Sequence, residues 1–218
     1  MSTIRAHVER TLQHPVNHVL IQLYRSGADY ISEHSDKTID VVRDSRIVNL
    51  SLGARRTMTL KTKKDSLDVT VAGGILSRRT QRVPLPHNSL FVMGLQTNAR
   101  WMHSVHTDKR PEDTKNPAER GPRISLTFRH IGTFLTRSPP QLIYGQGATR
   151  KTRAEAQPVV QGGVQAERLL AAFGAENHQS EFDWDAAYGE GFDVLHFSGA
   201  AAASGEPPAE DVGESEGA

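Results

Sequence analysis

The chain has 218 residues, with 26 Lys and Arg against 25 Asp and Glu, ten His and no Cys. That length suits one domain around one core, and the lack of cysteine excludes a disulfide framework and any thiolate metal site. No apolar run of signal-peptide length opens the sequence and none approaches the ~20 residues that span a bilayer, so the expected setting is intracellular, nuclear or cytoplasmic.

Ile4, Val8 and Leu12 recur every four residues, which predicts a short amphipathic helix closed by Pro15. Residues 16–24 read as a buried strand, and Ser26-Gly27 as a turn. Residues 47–52 and 56–60 flank Gly53 and read as a hairpin. Residues 61–65 read as a charged turn, 67–71 as a strand and 73–82 as a basic loop. Residues 89–93, 100–105 and 123–129 supply further strands, with a charged, proline-containing loop over 107–122. Many short strands divided by turn residues argue for a mainly β, α+β fold with flanking helices. After Pro140 the character changes. Residues 165–173 predict a helix with Gly174 as its C-cap. Phe182, Trp184, Tyr188 and Phe192-Asp-Val-Leu-His-Phe197 form an aromatic segment expected to dock on the core or to cover a partner surface.

The end of the chain, from about Gly199, is rich in Ala, Gly, Pro and Glu and is expected to be disordered. It carries Glu206, Glu210, Asp211, Glu214 and Glu216 without a Lys or Arg, so the preceding 200 residues hold 26 basic against 20 acidic side chains, a net +6. A body of that sign is compatible with a phosphate-bearing partner. The expected organisation is a domain over 1–150, a helical and aromatic extension over 151–198 and an acidic tail over 199–218.

Arg123-Ile-Ser-Leu-Thr-Phe-Arg129 is the most informative stretch. Side chains of a strand alternate faces, so Arg123, Ser125, Thr127 and Arg129 share one face and Ile124, Leu126 and Phe128 the other. The apolar row suits a core. The polar row, with two guanidinium forks, suits a pocket for a small carboxylate. Upstream, His34-Ser-Asp36 puts an imidazole and a carboxylate on one face of an extended segment, and His103 or His106 offers a third ligand. If residues 101–106 are extended, those two point to opposite faces and only one can join. Two His and one carboxylate with open positions is the arrangement of non-haem Fe(II) oxygenases. A His-x-Asp pair alone is cheap among ten histidines. His-x-Asp, a distant His and then an arginine pair, in that order, is far less expected by accident.

With these motifs the chain resembles the AlkB-like Fe(II)/2-oxoglutarate dioxygenases. The matching residues are Asn17-His-Val-Leu-Ile-Gln-Leu-Tyr24, Gly27, His34-Ser-Asp36, Ser51-Leu-Gly53, Leu85-Pro-His-Asn-Ser-Leu90, Trp101-Met-His103 and Arg123 through Arg129, within roughly residues 15 to 135. The resemblance implies a double-stranded β-helix (jelly-roll) core. It implies Fe(II) held by His34, Asp36 and His103, the last selected over His106 through Trp101-x-His. It implies 2-oxoglutarate held by Arg123, Arg129, Tyr24 and Gln22, with Arg123 and Tyr24 at the far (C5) carboxylate and Arg129 nearer the C1 end. At Gln22 and at Ser125 the family commonly has Asn. His7, His14, His18, His87 and His130 read as structural or surface residues.

The activity implied is oxidative demethylation of N-alkylated nucleobases in DNA or RNA, a dealkylation repair, with the base flipped into the pocket. O2 is the co-reactant, no membrane is involved, and a monomer is expected. Thr38, Arg56 and Lys63 are the substrate-contact candidates, and Lys61-Thr-Lys-Lys64, Arg78-Arg79, Arg82 and Lys109-Arg110 are candidates to track a phosphate backbone. Two departures favour the alternative, an AlkB-fold oxygenase acting on a small molecule or protein. Barely one helix precedes the Asn17 strand, where members acting on nucleic acid carry a nucleotide-recognition lid, so that lid is missing or the chain is truncated. Thr38 also stands where many members have the acid that contacts the damaged base. Intact His34, Asp36, His103, Arg123 and Arg129 argue against a third reading, a non-catalytic scaffold.

Overall fold

The strands, in chain order, are β1 (His18–Tyr24), β2 (Ile31–His34), β3 (Arg46–Gly53), β4 (Arg56–Thr62), β5 (Val69–Ala72), β6 (Ile75–Arg78), β7 (Thr80–Leu85), β8 (Ser89–Gly94), β9 (Trp101–Val105) and β10 (Arg123–Arg129). The computed structural model describes residues 1–66, 69–72 and 75–195. The tail expected from Gly199 lies outside these residues, as do His196 and Phe197 and the first part of the strand expected over 67–71.

Two four-stranded antiparallel sheets result, ordered β1-β10-β3-β8 and β2-β9-β4-β7. From β1 to β4 and from β7 to β10 the chain alternates between the two sheets, β4 and β7 pair within one sheet, and this strand order is that of the double-stranded β-helix. β1 is an edge strand, and among the described residues its only ladder partner is β10, from His18↔Arg129 to Tyr24↔Arg123. A three-stranded sheet of β11 (Thr133–Leu135), β12 (Leu142–Gly145) and β13 (Gln157–Pro158) follows β10 along the chain.

The hairpin expected around Gly53 does not form. β3 lies between β10 and β8, whereas β4 lies between β9 and β7 in the other sheet. The backbone donors of Ala54 and Arg55 go to the carbonyls of Pro122 and Ala118 rather than to each other's strand. Gly53 has φ +87°, and a Cβ there would meet the Pro122 carbonyl oxygen at 2.3 Å. Its glycine therefore lets β10 begin against β3, with Arg123 opposite Gly53. A local apolar pattern marks strands but does not name their partners.

Two further expectations are corrected. The basic stretch read as a loop over 73–82 carries β6, which pairs with β5, and the start of β7, which pairs with β4. β7 is an edge strand, where charged residues are common, so Arg82, close behind Arg78 and Arg79, disguised it. The C-terminal helix runs through Gly174 rather than ending there: α3 spans Gly163–His178. An interior glycine costs a helix ~1 kcal/mol, and the turn beyond it is held by contacts to the rest of the fold described below.

Three clusters build the core. α1 (Ser2–Leu12) lays Val8 and Leu12 on Val48, Leu50, Leu126 and Phe128, the outer face of the first sheet. Met58, Leu60 and Leu85 pack with Phe91 and Trp101. The aromatic C-terminal segment docks as expected: Tyr188 of α4 (Trp184–Tyr188), Phe192 and Val194 join Leu169 of α3 around Ile39, just beyond β2. Among the described residues no helix is long and apolar enough to cross a membrane.

Candidate active site

The antiparallel register of β2 and β9 sets His34 opposite His103. Opposed residues on one face of such a pair have Cβ atoms ~4.5–5.5 Å apart, so pairing alone brings the two imidazoles together, with ring centroids 4.3 Å apart. Asp36, two residues on, keeps the same face. Its Oδ1 lies 3.7 Å from His34 Nε2 and 3.6 Å from His103 Nε2, and one ligand atom from each residue lies within 4.8 Å of the others. His34 Nδ1 donates to the Ser32 carbonyl at 2.8 Å. A carbonyl only accepts, so Nδ1 carries the proton and Nε2 keeps its lone pair for the cluster. Burial pulls the His103 pKa down to about 4, so this imidazole is neutral near pH 7, the form that ligates a metal. Burial pushes Asp36 upward, but Arg129 above all, with His103 and His34, outweighs it and holds the carboxyl well below the usual carboxylate range. Arg129 Nε and Nη2 donate to Asp36 Oδ2 at 3.0 and 2.5 Å. Asp36 thus turns one oxygen to the imidazoles and gives the other to a guanidinium. His106 stands outside the cluster, with Nε2 3.3 Å from Ser104 Oγ.

Arg123, Ser125, Thr127 and Arg129 line the cavity between the sheets, and Gln22 and Tyr24 of β1 join them. Arg123 is 1% exposed. Its Nη2 donates to Asn49 Oδ1 at 3.0 Å and Ser51 Oγ at 2.9 Å, and the Tyr24 ring centroid lies 4.9 Å from its guanidinium carbon. Its Nε and Nη1 are buried with no hydrogen-bond partner. A buried guanidinium with unmet donors is destabilising by several kcal/mol unless an anion meets them, so this end of the cavity suits a carboxylate.

Asn49, which sequence reasoning did not single out, organises that end. Its Oδ1 accepts from Arg123 and from Ser51 Oγ (3.2 Å), and its Nδ2 donates to Ser125 Oγ at 2.5 Å and Thr127 Oγ1 at 3.0 Å. A signal existed. Alternation along β3 puts Asn49 and Ser51 on the face opposite the buried Val48 and Leu50, a polar pair turned toward the arginine row. Asn98 gave no such signal, yet it clamps the backbone of Asp36 from α2 (Leu95–Arg100): Asp36 N donates to its Oδ1 at 2.8 Å and its Nδ2 donates to the Asp36 carbonyl at 2.9 Å.

A family model described as the 2OG-Fe(II) oxygenase superfamily matches residues 2–129. The chain belongs to that superfamily. Among curated proteins, the human DNA oxidative demethylase ALKBH2 is 36% identical over 133 residues, covering 60% of this chain and 46% of that protein. The human alpha-ketoglutarate-dependent dioxygenase alkB homolog 3 is 31% identical over 134 residues, covering 60% and 42%. ALKBH2 of Arabidopsis thaliana is 32% identical over 126 residues, covering 53% and 38%. The AlkB-like resemblance is thereby borne out, and the matched region spans less than half the length of each of these relatives.

The superfamily uses Fe(II) and 2-oxoglutarate, and the residues of this 2OG-Fe(II) oxygenase chain fit both. Two imidazole nitrogens and a carboxylate oxygen form an N/O donor set suited to Fe(II) with positions left open. The two unmet donors of Arg123 suit one end of a dicarboxylic oxo acid, which a guanidinium binds bidentately.

The substrate-contact candidates lie elsewhere. Thr38 N donates to Glu176 Oε1 at 3.0 Å and its hydroxyl donates to the same oxygen. Lys63 is fully buried, with Nζ on the carbonyls of Glu176 (2.5 Å) and Gln179 (3.1 Å). Arg56 donates to the carbonyls of Ser26, Asp29 and His106. The cavity lining includes none of the three. In the basic runs, Arg78 Nη1 pairs with Glu33 at 2.5 Å, and Arg110 pairs with Asp108 and Glu119. An outer cleft of about 370 Å3, walled by Leu23, Arg25 and Tyr30, shares Gln22 and Tyr24 with the cavity lining.

Proposed function

We propose that this chain is an Fe(II)- and 2-oxoglutarate-dependent dioxygenase that removes alkyl groups from the nitrogens of nucleobases in DNA or RNA. The observation that carries the reading is the cavity itself, which the His34, Asp36 and His103 cluster lines together with Arg123, two of whose buried nitrogens have no partner. The names of the relatives, DNA oxidative demethylase among them, supply the substrate class. In this reading Fe(II) would be held by His34 and His103 through imidazole nitrogens and by Asp36 through the carboxylate oxygen turned toward them. Arg129 keeps Asp36 ionised and fixes which oxygen faces the imidazoles. Arg123 takes the far carboxylate of 2-oxoglutarate, with Tyr24 packed on its guanidinium and Gln22 beside it. Leu20, Ile31, Met58, Phe91 and Met93 wall the cavity and exclude water from the reacting region. When bound, iron and 2-oxoglutarate together supply the oxidation of a substrate C–H bond by O2, with succinate and CO2 as co-products. An N-methyl group so hydroxylated is a hemiaminal, which releases formaldehyde and leaves the N–H base. The reading is completed by a monomer acting in the nucleus or cytoplasm, which size-exclusion chromatography with light scattering and localisation of the tagged protein would test.

The test is release of formaldehyde and succinate by Fe(II)-loaded protein given 2-oxoglutarate, air and oligonucleotides bearing 1-methyladenine or 3-methylcytosine, as DNA and as RNA. Equal formaldehyde and succinate with one oligonucleotide is expected. Succinate without oligonucleotide-dependent formaldehyde would sink the nucleobase reading. It would favour the second reading, an oxygenase of a small molecule or protein. One observation supports that alternative: Lys63, Arg78 and Arg110, three of the cations proposed to track phosphate, are engaged with groups of the protein itself. Steeply salt-dependent binding of single-stranded oligonucleotide would count for the first reading and against the second.

A further inference from the structure

We propose that α3, which lies beyond the superfamily match at residues 2–129, holds the loop carrying Asp36 in its ligating conformation, with Asn177 and Glu176 as positioning residues. The inference rests on the reading of His34, Asp36 and His103 as metal ligands.

β2 ends at His34, and residues 35–38 belong to no strand. The main chain of this loop therefore has no ladder partner, and buried backbone groups must find others. Side chains from two helices serve. Ser35 N donates to Asn177 Oδ1 at 2.9 Å. Asp36 is clamped on both sides by Asn98, as described. Lys37 Nζ donates to the Phe173 carbonyl at 2.7 Å. Thr38 is bonded through both N and Oγ1 to Glu176. Every residue flanking Asp36 in the loop is thus tied to α3. Without these bonds, Asp36 would hang from an unpaired segment leaving a four-residue edge strand whose register is irregular between Ile31 and His34.

The grip is itself braced. Glu176 is 4% exposed, and its second carboxylate oxygen accepts from Tyr188 OH at 2.7 Å. Lys63 Nζ donates to the carbonyls of Glu176 in α3 and of Gln179 just past its end, and Ser180 N donates to Asp65 Oδ2 at 2.8 Å, which pins the helix end to the turn after β4. Ile39, next along the chain, is buried among Leu169, Tyr188 and Phe192. α3 is seated on the β4 turn and on the Asp36 loop together, so it can relay rigidity from one to the other.

A carboxylate contributes fully to metal affinity only if it is held in place beforehand. Loss of groups that orient a ligand typically weakens metal binding about 10–100-fold. The experiment is a Co(II) titration of the full chain with 2-oxoglutarate present, followed by the absorption of the bound ion. Wild type, Asn177→Ala, Thr38→Val and His103→Ala are compared, and the thermal midpoint of each metal-free protein is recorded. Thr38→Val removes the hydroxyl bond to Glu176 while keeping the side-chain volume. The expected result is at least tenfold weaker Co(II) binding in Asn177→Ala, a smaller loss in Thr38→Val, and metal-free midpoints close to wild type. Unchanged affinity in both variants would overturn the proposal. So would affinity losses that merely track lowered metal-free midpoints, since that is a general packing role. His103→Ala separates the two levels: if it binds Co(II) as wild type does, the ligand reading has failed rather than the positioning by α3.

Discussion

The direction in which Arg123 points is decided by Asn49. Arg123 Nη2 is taken by Asn49 and Ser51, and this leaves Nε and Nη1 as the donors free to face a carboxylate. Asn49→Ala removes an acceptor from a buried cation, a loss of about 1.5–3 kcal/mol for a charged hydrogen bond. The KM for 2-oxoglutarate is therefore expected to rise about tenfold or more, with little change in Co(II) affinity; steady-state succinate formation and a Co(II) titration check the split. Because Asn49 and Ser125 touch, exchanging them (Asn49→Ser with Ser125→Asn) is expected to recover part of that loss. Arg123→Ala is expected to raise KM further still. A second residue-scale expectation concerns pH in the metal-free protein. The His103 pKa is about 4 when folded because of burial, against ~6.5 in an unfolded chain. Between those values the unfolded chain takes up a proton that the folded chain refuses, so stability falls as pH drops through 6.5 toward 4, by about 3 kcal/mol in all. Above 6.5 this residue contributes no slope. Urea unfolding at pH 7 and pH 4.5 should show a smaller acid loss in His103→Gln than in wild type.

Elements that satisfy their pattern locally were legible from sequence, and elements defined by their partners were not. The spacing of Ile4, Val8 and Leu12 predicts α1, and the structure buries Val8 and Leu12 on the first sheet. Truncating Leu12→Ala is accordingly expected to lower unfolding stability by about 2–5 kcal/mol, read from the urea midpoint, while Co(II) affinity stays put because α1 lies outside the cavity. Short apolar runs likewise marked β1, β8 and β9, but residues 16–24 read as a buried strand, whereas β1 is an edge strand with Leu20, Ile21 and Leu23 exposed. Alternation marked β10 and put the His34 and Asp36 pair and the arginine row on common faces. It could not show that β3 and β4 part company at Gly53, since Ala54 and Arg55 spend their donors on residues 118–122. Nor could it reveal that Thr38 and Lys63 turn away from the cavity. Their partner, Glu176, stands more than a hundred residues downstream, and no local periodicity reports a contact of that span.

At the scale of the whole molecule, the ion would join the two strands β2 and β9 and, through the Asp36 loop, the helices behind it. Any ligand that binds only the folded state stabilises it, by about 2.7 kcal/mol at a hundredfold excess over Kd. Co(II) with 2-oxoglutarate is therefore expected to raise the thermal midpoint by more than either alone, and chelation to reverse the rise. The rise should vanish in His103→Ala, and scanning calorimetry decides it. The strand order carries a different consequence, for a chain still being made. β1 pairs with β10 alone among the described residues, and Ile21 and Leu23 remain 57% and 60% exposed even then. At ~5–20 residues per second, this apolar, uncharged-but-for-histidine strand waits on the order of 5–20 s before residue 129 has been added. During translation it is an open seam that a neighbouring nascent chain or a chaperone can reach first.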